Sequence, residues 1–202
     1  MVVKNNPALM KQTAKALSDL QNVIENMDEH RGRTLLHWLS RQNNYLQWEV
    51  GFNPKKNKNY KRGEVVHINF GFNVGSEHGG PHWGVILDDN KWSSPTAIVI
   101  PLGSLDDGKG EADVHTDDVY LGQIPSINDK LVYALPTQIR TVSKLRITSP
   151  RTTKDDDHYL TNAQLDLIDN KMVNLFFSKS KAIQEMQKAH SQVAGSTVDE
   201  QK

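Results

Sequence analysis

Apolar residues recur every three or four positions in the first quarter of the chain. They do so over residues 8–27 and again over residues 31–50, and this spacing collects them on one side of an α-helix. The sequence therefore predicts two helices, which form an N-terminal extension over residues 1–50. The segment 51–60 is rich in Lys and Asn and contains Gly and Pro, a composition that predicts a linker.

After this linker the pattern changes from helical spacing to alternation. Over residues 64–70, alternation places Val66, Ile68 and Phe70 on one side of a strand and the intervening residues on the other. Further short runs that favour strands follow at residues 83–87, 96–102, 130–135 and 138–147. Short strands with no long helix between them predict an antiparallel, partly closed barrel.

A C-terminal helix is predicted to close this barrel. Thr161 and Gln164 form a Thr-x-x-Gln capping box. Apolar residues after the box share one helical face: Leu165, Ile168, Met172, Leu175 and Phe176. The barrel domain is therefore assigned to residues 61–190, and the polar residues 191–202 are predicted to form a flexible tail. The expected fold class is a mainly β core with a helical segment at each end.

Composition narrows the classes of protein to which the chain can belong. Of its 202 residues, 37% are hydrophobic and 24% are charged, as in soluble globular proteins. The 24 basic and 24 acidic residues balance, which argues against coating of nucleic acid by bulk charge but permits a local basic groove. The chain has no cysteine, so thiol chemistry is excluded. We find no signal peptide or membrane-spanning segment and expect a cytoplasmic protein without a membrane partner.

The segment 75–87, GSEHGGPHWGVIL, combines ionisable side chains with flexible backbone. His78 and His82 have the spacing of a helical zinc pair, but Gly79, Gly80 and Pro81 exclude a helix. Because no third ligand is evident, we expect neither a metal nor a cofactor. Two interpretations remain, a hairpin turn whose glycines permit positive φ and a loop that forms the floor of a site.

Three short motifs link this loop to a known family. They are Arg-Gly-Glu at residues 62–64, Gly-Ser-Glu at residues 75–77, and Gln-Ile-Arg-Thr at residues 138–141. In this order and spacing they resemble the PemK/MazF family of toxin endoribonucleases, from about Lys61 to the C-terminal helix. The resemblance implies an SH3-like barrel that forms a homodimer, cleaves single-stranded RNA without metal, and is held inactive by an antitoxin protein.

The resemblance also implies an attack of the ribose 2′-hydroxyl on the adjacent phosphate, which requires a base, an acid and cationic groups. The family's main catalytic arginine corresponds to His82, and its catalytic threonine corresponds to Gly103. His82 is expected to transfer protons in place of the arginine, with Arg140 as a further catalytic residue. Ser104 is the candidate for the missing hydroxyl, although strand alternation directs it to the other face unless a turn begins there.

Further residues are expected to contact RNA, namely Lys61, Arg62, Glu77, His78, Gln138 and Thr141. The lysines of the linker extend this set as a basic cluster for phosphates, or else they are only solvated. Active RNA cleavage is the favoured function. The alternative is a catalytically impaired homologue that serves as a nucleic-acid- or protein-binding module. The N-terminal helices either extend the core or restrain the site in cis.

Overall fold

The N-terminal quarter of the chain is helical. The computed structural model describes residues 2–124, 127, 129–150 and 158–186. Helix α1 spans Pro7–Glu25 and helix α2 spans Glu29–Glu49. Asn6 and Asp28 cap these helices by accepting hydrogen bonds from backbone N–H groups of the first turn, which satisfies donors that lack a partner within the helix. The two predicted N-terminal helices are confirmed.

The rest of the described chain is organised around one antiparallel sheet. Its strands are β1 (Glu64–Asn69), β2 (Pro81–Ile86), β3 (Thr96–Ser104), β4 (Val119–Gln123), β5 (Leu131–Ala134), β6 (Arg140–Ser143), β7 (Ile147–Ser149) and β8 (His158–Tyr159). The main order is β4-β5-β3-β2-β1-β7, while β6 pairs with β3 and β8 pairs with β1. A mainly β core with helices at both ends was predicted and is confirmed.

The sheet closes on itself through β6 and β7. These two strands follow one another across a single turn of 3-10 helix at Lys144–Arg146, and they pair with β3 and β1 respectively. The segment therefore joins two edges of the sheet into a small barrel. The barrel interior is filled by buried Tyr60, Val66, Ile68, Phe70, Ile86, Ala97, Val99, Val142 and Ile147, in agreement with the predicted alternation of β1.

A second apolar layer covers the outer side of the barrel, where β4, β5 and helix α3 (Asn162–Met172) pack. The predicted capping box of α3 is present, and Ile168 is fully buried. A π-helical turn, Val173–Phe177, follows α3. Because a π turn contains extra residues, it rotates the end of the apolar face, and Phe176 is 47% exposed rather than buried. The predicted tail, residues 191–202, lies outside the described residues.

The segment 51–60 connects α2 to β1 and packs against the barrel at its end. Tyr60 is 1% exposed, and its hydroxyl donates a 2.9 Å hydrogen bond to the Pro150 carbonyl. The Lys58 ammonium lies 2.6 Å from the buried carboxylate of Glu64, so this lysine forms an internal ion pair. None of the described helices combines the length and the apolar character needed to span a membrane.

Candidate active site

The loop between β1 and β2, residues 70–80, is a hairpin closed at its base. The Phe70 N–H donates to the Gly80 carbonyl at 2.8 Å, and the Gly80 N–H donates to the Gly71 carbonyl at 2.7 Å. Both glycines have φ of 80–88°, a region that favours glycine. The Asn73 side chain donates to the His78 carbonyl at 2.6 Å, so the loop is also held from within and presents His78 in a fixed position.

Two histidines meet where this loop enters β2. His82 lies opposite Ile68, whose side chain fills the barrel, so His82 shares the interior side at the barrel's end. The His78 and His82 rings are 4.4 Å apart, and the His78 ring packs edge-on against Phe70. The pKa of His82 is lowered by partial burial. Burial, then His82 and Arg140, lower the pKa of His78 to about 4.

Gln138 connects His78 to the positive charge of Arg140. Its Oε1 atom accepts hydrogen bonds from the His78 N–H and from Arg140 Nη2, both at 3.1 Å. The Arg140 guanidinium also lies 5.4 Å from the centre of the Phe70 ring. One amide therefore fixes the loop and the cation relative to each other. In this group the His82 side chain is exposed, whereas the His78 Nε2 atom is buried without a hydrogen-bond partner. An accessible imidazole beside a cation suits an anionic substrate that must lose a proton.

Two predicted site residues lie on the other face of the sheet. Ser104 is the last residue of β3 and alternates with Gly103, so it shares the outer face with Leu102. The strand continues through Ser104 without the turn that would bring its hydroxyl to the interior side. Thr141 pairs with the half-exposed Ile98 and points outward from the barrel. Neither hydroxyl joins the histidines.

The predicted RNA-binding residues before β1 lie at the far end of that strand. Six residues of β1 separate the two ends by about 20 Å. The Arg62 guanidinium makes two 2.7 Å hydrogen bonds to the Asp169 carboxylate and another to the Leu87 carbonyl, which ties the residues before β1 to α3. Lys61 is exposed beside it, and Glu77 is exposed in the β1–β2 loop.

Phe70 is a component of the site that sequence reasoning assigned only to the core. It is the last inward-facing residue of the β1 segment and is 1% exposed. Its ring contacts both His78 and Arg140, so it is the apolar surface on which they rest. Alternation correctly predicted its direction, but only the folded loop shows which polar groups it supports. Among the described residues, no three His, Asp or Glu side chains form a candidate metal-binding group.

Helix α2 lies against the base of the same loop. The Trp38 ring is so close to Gly71 that a Cβ atom on this glycine would lie 2.8 Å from the ring. The Arg146 guanidinium stacks 5.3 Å from Trp38 and donates to the Asn69 carbonyl at 2.8 Å. A cavity of about 210 Å³ separates α2 from the barrel next to these contacts. The N-terminal extension is therefore in direct contact with the segment that positions the histidines.

Comparison with known proteins gives a family match for the barrel. Residues 61–176 match the family described as PemK-like, MazF-like toxin of type II toxin-antitoxin system. No curated protein matches the chain. The matched residues include β1 to α3 and exclude α1 and α2.

Several solved structures are similar at low identity. An endoribonuclease in complex with its cognate antitoxin from a mycobacterial species is 15% identical, with 57% of this chain and 92% of that chain covered and a TM-score of 0.39. MazF from Deinococcus radiodurans is 16% identical, with 58% and 96% covered and a TM-score of 0.41. A MazE-MazF structure from the same organism is 15% identical, with 59% and 97% covered and a TM-score of 0.40.

Proposed function

This chain belongs to the PemK/MazF family of type II toxins, because the family model matches more than half of it, and we propose that it is an endoribonuclease that cleaves single-stranded RNA at short sequences. The observation that supports this proposal most strongly is the contact between His78 and His82 beside Arg140. Neutral imidazole and a cation are the groups that cleavage of RNA by its own 2′-hydroxyl requires.

In the proposed reaction His82 acts as the general base. Its lowered pKa keeps the imidazole neutral near pH 7, so it can accept the proton of the ribose 2′-hydroxyl. The 2′-oxygen then attacks the adjacent phosphorus, and the bond to the 5′-oxygen of the next nucleotide breaks. The departing 5′-oxygen takes a proton from solvent water, and the His82 imidazolium returns its proton to solvent. Arg140 lies beside the histidines and offsets the negative charge that grows on the phosphoryl oxygens. The products are a 2′,3′-cyclic phosphate and a 5′-hydroxyl.

RNA recognition is assigned to the loop around this pair. Glu77 and His78 lie on the β1–β2 loop, and Gln138 joins the loop to Arg140. We propose that these residues contact the nucleotides on either side of the scissile phosphate. Lys61 remains a candidate for a more distant phosphate, whereas the Arg62 guanidinium is already paired with Asp169.

The first prediction is metal-independent cleavage. The purified protein should cut a long single-stranded RNA in the presence of EDTA, because the base and the cation are side chains in this mechanism. The measurement is end mapping, with 2′,3′-cyclic phosphate and 5′-hydroxyl ends expected. Loss of cleavage in EDTA, with recovery on addition of a divalent ion, contradicts the mechanism. RNA binding without any cleavage identifies the alternative, a binding module.

We further propose that the protein acts in the cytoplasm as a homodimer and that an antitoxin protein inhibits it. Family membership supports the antitoxin, since the matched family is defined by toxin-antitoxin systems. A toxin that is inhibited in this way should arrest growth when it is induced alone. Arrest that is abolished by His82→Ala links the growth effect to the site.

A further inference from the structure

The inward side of β3 has an unusual contact at Gly103. This glycine pairs with Tyr133 of β5. A Cβ atom built on Gly103 would lie 2.4 Å from Cζ, 2.6 Å from the hydroxyl oxygen and 2.8 Å from Cε2 of Tyr133. The far end of the tyrosine ring therefore lies directly over the Gly103 backbone. Only a residue without a side chain permits this approach.

The direction of the ring follows from the order of the strands. Strand β3 lies between β5 and β2, so a ring that starts on β5 and ends over β3 extends toward β2. Gly84 of β2 pairs with Pro101 of β3, and His82 and Gly103 each lie two residues further along. Residues two apart on a strand face the same side. The Tyr133 hydroxyl and the His82 imidazole therefore occupy the same face, opposite to Ser104.

This arrangement supplies a hydroxyl group next to the base. Adjacent strands are about 4.8 Å apart, so the ring of Tyr133 brings its oxygen one strand closer to His82 than its own backbone is. Gln138 follows Tyr133 by five residues and fixes His78 and Arg140, so one short stretch of chain supplies both the phenol and the amide that holds the loop and the cation. A phosphate held by Arg140 and approached by His82 would meet the phenol from the β3 side.

We propose that Tyr133 is a further catalytic residue, whose hydroxyl donates a hydrogen bond to a non-bridging oxygen of the scissile phosphate. This inference rests on the proposed ribonuclease function. The phenol acts only as a hydrogen-bond donor, so the proposal adds no proton transfer to the reaction. Its contribution grows as negative charge accumulates on the phosphoryl oxygens in the transition state. The rigid ring, placed over Gly103, holds the donor in position before substrate binds.

The test is Tyr133→Phe, which keeps the ring over Gly103 and removes only the oxygen. We expect kcat for cleavage of a single-stranded RNA to fall about 10²–10³-fold, as for loss of one transition-state donor, while KM and the melting temperature change little. The matched control is Tyr120→Phe. Tyr120 pairs with Tyr133 from β4, one strand further from His82, and its loss should leave kcat unchanged.

Cleavage rates of the wild type and the two variants distinguish failure of the Tyr133 role from failure of the ribonuclease function. Wild-type protein that cleaves RNA while Tyr133→Phe cleaves equally fast overturns the role of Tyr133 and leaves the ribonuclease function intact. An equal loss in Tyr120→Phe also overturns it, because the effect would then not depend on position. Wild-type protein that does not cleave RNA overturns both.

Discussion

The protonation of His82 depends on its place at the end of the barrel. Partial burial lowers its pKa below the ordinary value of 6.5, because a charged imidazole loses hydration there. A base must be unprotonated, so its activity is lost as the pH falls through the pKa of the free enzyme. In the proposed mechanism, the lowered pKa therefore extends proton abstraction to more acidic conditions than a histidine with the ordinary pKa would allow.

We predict that His82→Ala lowers the cleavage rate about 10²–10⁴-fold, the usual contribution of a general base, without loss of the folded structure. In the wild type, kcat/KM should decrease toward acid with a midpoint below pH 6.5. The control is His115→Ala, because His115 is exposed and lies before β4, outside the site. A rate that instead rises as the pH falls would show that His82 works as an acid.

At the scale of elements, the Trp38 side chain links α2 to the β1–β2 loop. This ring touches Gly71 at the base of the loop and stacks with Arg146, which in turn holds the Asn69 carbonyl. Removing the ring would leave the base of the loop without its cover. The contact thus joins the N-terminal extension to the backbone that presents His78.

We predict that Trp38→Ala accelerates amide hydrogen exchange over residues 71–80 and lowers the free energy of unfolding by about 1–3 kcal/mol, as expected for loss of a half-buried aromatic ring. Trp48→Ala is the control, because Trp48 lies on the same helix but is 51% exposed. Equal exchange in both variants would contradict the coupling. Faster RNA cleavage by folded Trp38→Ala supports restraint in cis, whereas unchanged cleavage supports a helix that only extends the core.

The sequence predicts the helices and strands better than the contacts between them. Periodicity identified α1, α2, α3 and the main strands, because each pattern is local. Closure of the barrel was predicted only in general, since it depends on β6 and β7 pairing with different strands. The ion pair of Arg62 with Asp169 spans 107 positions, and the contact of Tyr133 with Gly103 depends on strand register. No spacing within one segment reveals such pairs.

At the scale of the whole molecule, α1 leaves much of its apolar side uncovered. Side chains that helical spacing places on this side remain exposed in the single chain: Leu9 by 41%, Met10 by 44%, Leu17 by 62% and Val23 by 52%. The contact with α2 therefore leaves these apolar side chains of α1 uncovered. Contiguous apolar surface of this kind favours association with another chain.

We predict that the wild-type protein has the mass of a dimer and that Leu17→Glu shifts it toward the monomer. A carboxylate at this position would have to be buried without a partner in an apolar contact, which costs free energy. Lys11→Glu is the matched control, because Lys11 lies on the polar side of α1. This substitution introduces the same side chain away from the apolar side. Light scattering coupled to size exclusion measures the mass. Dimers that persist in Leu17→Glu would place the association on the barrel, and a monomeric wild type would contradict the prediction.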